Sequence, residues 1–93
     1  MNFCVEYNEL VVKSDIPKIT NREKERIRRG IEEKLQVRPE LFGKPLRNSL
    51  KNYRSLRISD YRVIYRISWQ VVKIFIIQHR SQVYKKVFVR ISD

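Results

Sequence analysis

The residues of this chain best suited to chemistry are cations interleaved with tyrosines in its second half. Residues 46–93 contain eleven Lys or Arg against two acidic residues, whereas residues 1–45 contain ten against eight. Nine of the eleven net positive charges therefore lie in the second half. Because Lys and Arg that neutralise phosphates release condensed counterions, such a surface is typical of proteins that bind nucleic acids.

Several other kinds of site are excluded by the residues that the chain lacks. Gly30 and Gly43 are the only glycines, so there is no glycine-rich phosphate-binding loop. Cys4 and His79 are the only residues of their types and lie far apart, so no metal-ligand spacing is present. We therefore expect no metal and no other cofactor, and we expect Cys4 to be a small buried apolar residue.

Length and composition limit the organisation of the chain. The 93 residues, of which 42% are apolar, predict a single domain over residues 1–93 with a thin core. A net charge of +11 on so small a domain is self-repulsive, and an acidic partner would relieve that repulsion. No stretch resembles a signal peptide or a membrane span, so we expect a cytoplasmic protein without a membrane partner.

The first half predicts one strand and two helices. Apolar residues alternate with others over residues 3–7, which indicates a short strand. A brief helix is expected from Asn8 to Ile16, because Pro17 interrupts the pattern. Its inward residues are expected to be Leu10, Val11 and Val12.

A second helix is predicted from Asn21 to about Leu35. Thr20 and Glu23 have the spacing of a capping box, in which each side chain binds the backbone of the other residue. Ile27, Ile31 and Leu35 form a narrow apolar seam, and the charged residues between them are expected to be solvated. Residues 39–45 are then expected to form a loop, with Leu41 and Phe42 as an apolar plug.

The second half changes to the alternation of strands. Leu56 and Ile58 are predicted on one face of a strand, with Ser55 and Arg57 on the other. Ser59 and Asp60 form a tight reversal, and residues 61–67 alternate again. The two strands can therefore place Arg57 and Arg62 on one exposed face.

The remaining residues predict a buried strand and a closing helix. Residues 71–78 are nearly all apolar, which is typical of a central strand. A short helix is expected over residues 81–89, packing Val83, Val87 and Phe88. The fold class is therefore α+β, with a twisted antiparallel sheet of about four strands, two N-terminal helices on one face and a short C-terminal helix.

Two segments of the second half resemble the RelE and ParE superfamily of toxins from toxin-antitoxin pairs. The first is residues 46–67, above all Leu56-Arg57 followed by Asp60-Tyr61-Arg62-Val63-Ile64-Tyr65. The second joins Ile76-Ile77-Gln78-His79-Arg80 to Val83-Tyr84. The resemblance implies a RelE-like fold and a cognate antitoxin, which we expect to offer an acidic or amphipathic segment. For the RelE branch it also implies metal-independent cleavage of mRNA on the ribosome.

The resemblance also assigns roles to individual residues. Arg62 falls on the arginine that contacts the scissile phosphate, and Tyr84 on a tyrosine assigned to proton transfer or stacking. Arg57 lies on a basic position of the preceding strand, and Arg80 lies near the arginine that follows the last strand. These four residues are predicted to be catalytic. The residues predicted to bind the substrate are Lys51, Arg54, His79 and Lys85.

One position departs from the family pattern. Ser55 stands where RelE nucleases have a basic residue two positions before Arg57. Arg54 is one step earlier and is expected on the other face of the strand. The identity of the general base therefore stays open, with Lys51 and His79 as candidates.

Alternative functions also stay open at this point. A ribosome-dependent endoribonuclease that inhibits translation is the first hypothesis, a ParE-like inhibitor of DNA gyrase without nuclease activity is the second, and a plain RNA-binding module is the third. Arg57, Arg62 and Arg66 can also be a solvated face that protects the sheet from aggregation. The motif favours a function for Arg57 and Arg62, and we assign Arg66 a structural role.

Overall fold

The fold is built on a five-stranded sheet. The computed structural model describes residues 2–92. The strands are β1 Cys4–Tyr7, β2 Lys44–Pro45, β3 Arg54–Ile58, β4 Tyr61–Ser68 and β5 Val71–His79, in the spatial order β1-β5-β4-β3-β2. The α+β class is confirmed. Two details differ, because β1 pairs with β5 in parallel and the short β2 lies where a loop was predicted.

The first helical segment consists of a π-helical turn, Val11–Asp15, and a 3₁₀ turn, Ile16–Lys18. It extends past Pro17, which is tolerated at the start of a helical turn because no backbone donor is needed there. Val11 is fully buried, but Leu10 and Val12 are exposed, so the prediction that all three point inward was wrong for two of them.

The second helical segment is α1, Asn21–Gly30, which continues as a π-helical turn over Ile31–Leu35. The Thr20 hydroxyl accepts a hydrogen bond from the Glu23 backbone at 3.3 Å, as predicted. The Glu23 carboxylate, however, lies 3.6 Å from Arg26, so it pairs with a cation of the same helix. The predicted seam is confirmed, since Ile27, Ile31 and Leu35 are all buried.

Two apolar clusters lie on opposite faces of the sheet. The larger one joins both N-terminal helical segments to the sheet through buried residues that include Val11, Ile31, Val63 and Ile77. The smaller one lies beneath helix α2, Val83–Ser92, and consists of Leu50, Ile64, Ile76, Val83 and Val87. We call these two sides of the sheet the α1 face and the α2 face.

Three further predictions about packing were wrong. The predicted burial of Val83 and Val87 is confirmed, but Phe88, which was predicted to pack with them, is about half exposed. Leu41 and Phe42 are exposed and do not form a plug, because the loop that carries them lies at the outer edge beside β2. Cys4 is exposed, because β1 is an edge strand and offers only one covered side.

Candidate functional site

A basic cleft of about 810 Å³ opens between the loop of residues 41–47, strands β3 and β4, and helix α2. It is lined by Leu41, Phe42, Gly43, Lys44, Pro45, Leu46, Arg47, Ser55, Leu56, Arg57, Arg62 and Tyr84. These residues include four cations and one phenol but no carboxylate and no imidazole. The cleft is therefore chemically suited to an anionic ligand.

Two opposed arginines form the floor of the basic cleft. Arg57 on β3 and Arg62 on β4 are direct partners in the antiparallel register, so both side chains leave the same face. Like charges directly opposite each other destabilise a sheet. Within residues 2–92 neither guanidinium forms an ion pair, and Arg62 donates only to the Tyr61 carbonyl, at 3.2 Å. A bound anion would remove this repulsion.

One wall of the cleft supplies a lysine that sequence reasoning missed. Lys44 on β2 is the register partner of Ser55 on β3, so a cation lies directly across from the position where a basic residue was expected. The segment was predicted to be a loop because β2 has only two residues and contains Pro45. Pairing of Lys44 with β3 therefore depends on tertiary contacts that the local pattern does not indicate.

Hydrogen bonds from the α1 face hold that wall in place. The Arg54 guanidinium donates to the carbonyls of Glu40, Phe42 and Gly43 at 3.1–3.3 Å. Arg54 was predicted to bind substrate, but its Nε and Nη2 donors bind the loop and it does not line the cleft. It is a positioning residue for the cleft wall.

Tyr65 supports the same loop from the core. Its buried hydroxyl lies 2.8 Å from the Pro39 carbonyl and 2.5 Å from the Phe42 carbonyl. Burial raises the pKa of Tyr65, and the neighbouring Arg54 only partly opposes that effect. Gly43 has φ of +74°, and a Cβ there would lie 2.6 Å from the Tyr65 hydroxyl, so the tight approach of loop and core requires glycine.

Helix α2 brings Tyr84 over the cleft and is fixed by a buried ion pair. Tyr84 is partly exposed and lines the cleft. Near the other end of α2, the Arg90 guanidinium donates to both carboxylate oxygens of Asp15, at 2.8 and 2.9 Å. Asp15 also accepts from the Ile77 backbone at 2.9 Å and from the Gln78 amide at 2.7 Å. Sequence reasoning missed this Asp15 cluster because its members are separated by more than sixty residues.

The structure brings three of the eight predicted site residues into the basic cleft: Arg57, Arg62 and Tyr84. Lys51 and Lys85 are exposed, the first after the 3₁₀ turn Asn48–Leu50 and the second on α2 beside Tyr84. Neither of these lysines lines the cleft.

His79 and Arg80 lie away from the cleft. His79 is the register partner of Tyr61, and their rings meet edge to face at 5.7 Å on the α1 face. Its Nδ1 accepts from the Ser81 backbone at 3.2 Å. Arg80 donates its backbone N–H to the Asp60 carbonyl at 2.8 Å, and its Nε lies 3.7 Å from the Asp60 carboxylate.

Neither a cluster of metal-binding side chains nor a membrane-spanning helix is present in the described part of the chain. Residues 2–92 contain no group of three or more His, Cys, Asp or Glu side chains that can hold a metal ion. In that part of the chain, no helix has the length and apolar character required to cross a bilayer.

Comparisons with known proteins show the family of the chain. A family model described as the ParE toxin of type II toxin-antitoxin system, parDE, matches residues 11–84. No curated protein matches the chain.

Several solved structures have the same fold. The chain is similar to the toxin-antitoxin complex RelBE2 from Mycobacterium tuberculosis, with a TM-score of 0.80 and 28% identity over 86% of this chain and 100% of that one. A mutant of the Escherichia coli toxin RelE in the free state gives a TM-score of 0.76 and 20% identity over 98% and 99%. YafQ from Escherichia coli gives 0.56 and 15% over 86% and 96%.

Proposed function

The chain belongs to the ParE toxin family of type II toxin-antitoxin systems, within the RelE and ParE superfamily, and from that premise we propose that it is a ribosome-dependent endonuclease that cleaves mRNA without a metal. As a toxin of such a pair it has a cognate antitoxin as its partner. Inhibition of translation is the expected result of the cleavage.

The observation that carries the proposal is the pair of opposed arginines on the floor of the basic cleft. In metal-free cleavage the ribose 2′-oxygen attacks the adjacent phosphorus, a 2′,3′-cyclic phosphate forms, and the bond to the 5′-oxygen breaks. Negative charge builds up on the phosphate oxygens in the transition state, while the new bond forms and before the old bond is fully broken. Arg57 and Arg62 point to the same side and have no acidic partner within residues 2–92, so their donors are available to that charge.

Two other groups in the cleft can transfer protons. Arginine stays protonated in proteins, whereas lysine and tyrosine can exchange a proton. Of the residues that line the cleft, only Lys44 and Tyr84 meet this requirement. We assign the Lys44 amine, in its neutral form, to accept the proton of the 2′-hydroxyl and Tyr84 to donate a proton to the departing 5′-oxygen.

The ribosome supplies what this cleft lacks. The cleft is open, and none of the described residues that line it carries a carboxylate or an imidazole, so the isolated protein is expected to be a slow catalyst. Holding the message in the reactive geometry can itself remove about 7–11 kcal/mol of a barrier. Cleavage is therefore expected only when the message is bound to the ribosome.

The test is to translate a defined message with purified ribosomes in the presence of the protein and to map new ends. New ends that need both the protein and the ribosome are the expected result. Incubation of the same message without ribosomes is the control. Translation that continues with an intact message would reject the nuclease.

Inhibition of DNA gyrase is the second candidate function. It is favoured by the description of the matching family model and by the lack of carboxylate and imidazole groups among the described residues that line the cleft. A supercoiling assay with purified gyrase, run beside the translation assay, separates the two. Loss of supercoiling together with an intact message would establish the second function in place of the first.

The antitoxin is expected to contribute an acidic or amphipathic segment. The net charge of +11 and the arginines of the cleft, which have no acidic partner within residues 2–92, favour an acidic chain over a basic one. A ligand that binds only the folded toxin raises its melting temperature. The protein encoded beside the toxin should therefore raise that temperature, and the rise should shrink as salt is added.

A further inference from the structure

A second cluster of cations lies on the α2 face at the far end of the sheet from the basic cleft. Arg66 on β4 is the direct register partner of Lys73 on β5. Because side chains alternate along β4, Arg62, Ile64 and Arg66 leave the same face. Ile64 packs beneath α2, so the helix separates Arg66 from the basic cleft. The distance along β4 between the two sites is about 13 Å, at roughly 3.3 Å per residue.

We propose that this cluster, together with Tyr53, is a second site for single-stranded RNA, in which Arg66 and Lys73 bind a phosphate and Tyr53 stacks on a base. We call it the Tyr53 pocket. The proposal rests on the proposed function only in its choice of RNA as the nucleic acid. It gives Arg66 a binding role, whereas the sequence alone assigned it a structural one.

Aromatic walls and a fixed guanidinium shape the Tyr53 pocket. The Tyr53 and Phe75 rings lie 5.2 Å apart, and the guanidinium carbon of Arg66 lies 5.8 Å from the centre of the Tyr53 ring. Phe75 reaches this position because it is the extra residue where the β4–β5 register shifts. The pocket has a volume of about 230 Å³. Sites for drug-sized ligands have about 300–1,000 Å³, so the occupant is a smaller group, such as one nucleotide unit of a longer strand.

The charges of the pocket favour an anion. Arg66 and Lys73 are both exposed and face each other as like charges, which costs stability in a sheet. Glu6 on β1 is opposite Lys73, which leaves one net positive charge among the three. None of them forms an ion pair with another residue of the described chain. Cations beside stacked aromatic rings are the usual components of single-strand sites, whereas an acidic peptide needs only the cations.

The test measures RNA binding and not cleavage. A short fluorescein-labelled 2′-O-methyl oligonucleotide, which has no free 2′-hydroxyl to react, is titrated with the toxin at several salt concentrations. The variant Arg66→Gln/Lys73→Gln should bind about tenfold more weakly at moderate salt, and the slope of log K against log salt should fall by about 0.7, the value for one lost phosphate contact on a single strand. The matched control is Lys18→Gln/Arg22→Gln, which removes the same charge from exposed residues of the N-terminal helical segments.

Three other outcomes of this test distinguish an RNA site from its alternatives. An equal loss of affinity and slope in both double variants would show that net charge alone matters and would overturn the proposal. Unchanged RNA binding, with weakened binding of an acidic antitoxin peptide, would make the pocket a peptide site and would also overturn it. If the native protein cuts no message but the Arg66→Gln/Lys73→Gln variant alone binds RNA more weakly, the nuclease is rejected and the second RNA site is still supported.

Tyr53 provides an independent test of stacking. Tyr53→Leu removes the ring, whereas Tyr53→Phe keeps it. The first substitution should weaken oligonucleotide binding about tenfold, within the range known for loss of one stacked base, and the second should leave it unchanged. Inorganic polyphosphate, which has no bases, should bind both variants equally. Equal affinities of the oligonucleotide for both variants would exclude the stacking role.

Discussion

The Asp15 cluster and the basic cleft use charged side chains in opposite ways. In the Asp15 cluster, a fully buried carboxylate receives hydrogen bonds from Arg90, from the Ile77 backbone and from Gln78. In the basic cleft, Arg57 and Arg62 face each other without an acidic partner within residues 2–92. In the first arrangement, the charges of Asp15 and Arg90 are satisfied by partners within the chain. The second leaves charge for something outside it.

This difference separates residues that serve the fold from residues that serve a ligand. A buried carboxylate is costly without partners, so its hydrogen bonds must be complete. Opposed cations in a sheet are also costly, and here no partner within the described chain reduces the cost. The unpaired state of Arg57 and Arg62 is therefore better explained by binding than by stability.

Arg90→Ala should cause the largest effect and should act on the fold. Removing one partner of a buried pair leaves an uncompensated charge and costs about 3–5 kcal/mol. That is a large share of the roughly 5–15 kcal/mol that stabilises a domain. Urea unfolding followed by circular dichroism measures the loss. Fluorescence is less suitable, because Trp69, the single tryptophan, is 92% exposed.

The exposed pair of Arg80 and Asp60 provides the control for that measurement. Both side chains are about two-thirds exposed, and their charged atoms are 3.7 Å apart. Such pairs contribute about 0–1 kcal/mol, so Arg80→Ala should have little effect on unfolding. Similar losses for Arg80→Ala and Arg90→Ala would contradict the distinction between the Asp15 cluster and ordinary surface charge.

Arg62→Ala should cause the largest loss of activity with little change in stability. One well-placed donor to developing negative charge contributes about 2.7–4 kcal/mol, so the rate of message cleavage should fall by roughly a hundredfold to a thousandfold. The melting temperature should stay the same or rise slightly, because a like-charge contact is removed. Arg22→Ala, which removes an exposed cation from α1, is the control. A fully active, normally folded Arg62→Ala protein would show that Arg62 does not stabilise the charge that develops on the phosphate.

The opposed arginines and the Asp15 cluster also differ in how well they could be predicted from the sequence. The opposed arginines were predictable because strand alternation and the short Ser59-Asp60 reversal are local patterns that determine which side chains share a face. The Asp15 cluster was not predictable, since it joins residues 15, 77, 78 and 90 through packing of distant elements. Lys44 was missed for the same reason, because only pairing with β3 makes residues 44–45 a strand.

Lys44→Arg separates charge from proton transfer in the cleft. Arginine keeps the positive charge but does not give up its proton in a protein. If Lys44 is the base, the substitution should lower the single-turnover rate by about a hundredfold while binding of the ribosome-bound message is retained. Lys44→Ala should weaken both. A wild-type rate for Lys44→Arg would show that Lys44 contributes only charge.

Tyr65→Phe tests the link between the core and the cleft wall. Loss of the hydroxyl that contacts the Pro39 and Phe42 carbonyls should cost about 1–2 kcal/mol of stability. Burial raises the pKa of Tyr65, so this tyrosine ionises first in the unfolded chain, near pH 10. Below that pH, the contribution of Tyr65 to the free energy of unfolding is complete. As pH rises through the higher folded-state pKa, that contribution is lost.

The pH dependence distinguishes this effect from a simple loss of packing. Unfolding measured between neutral pH and about pH 11 should show a smaller alkaline loss in Tyr65→Phe than in the native chain. The loss should not vanish, because burial also raises the pKa of Tyr7, which remains. Identical alkaline profiles for the two proteins would mean that Tyr65 ionises equally well folded and unfolded.

Arg57→Gln should give the smallest effect and the sharpest test of the comparison, because its two predicted changes have opposite signs. Relief of the repulsion with Arg62 should raise the free energy of unfolding by about 0.2–1 kcal/mol. Message cleavage should fall, since one donor to the phosphate is lost. Arg22→Gln, with the same loss of charge outside the cleft, should change neither quantity. A destabilised Arg57→Gln protein would mean that this guanidinium supports the fold. A stabilised but less active protein is expected if Arg57 was selected for ligand binding at the expense of stability.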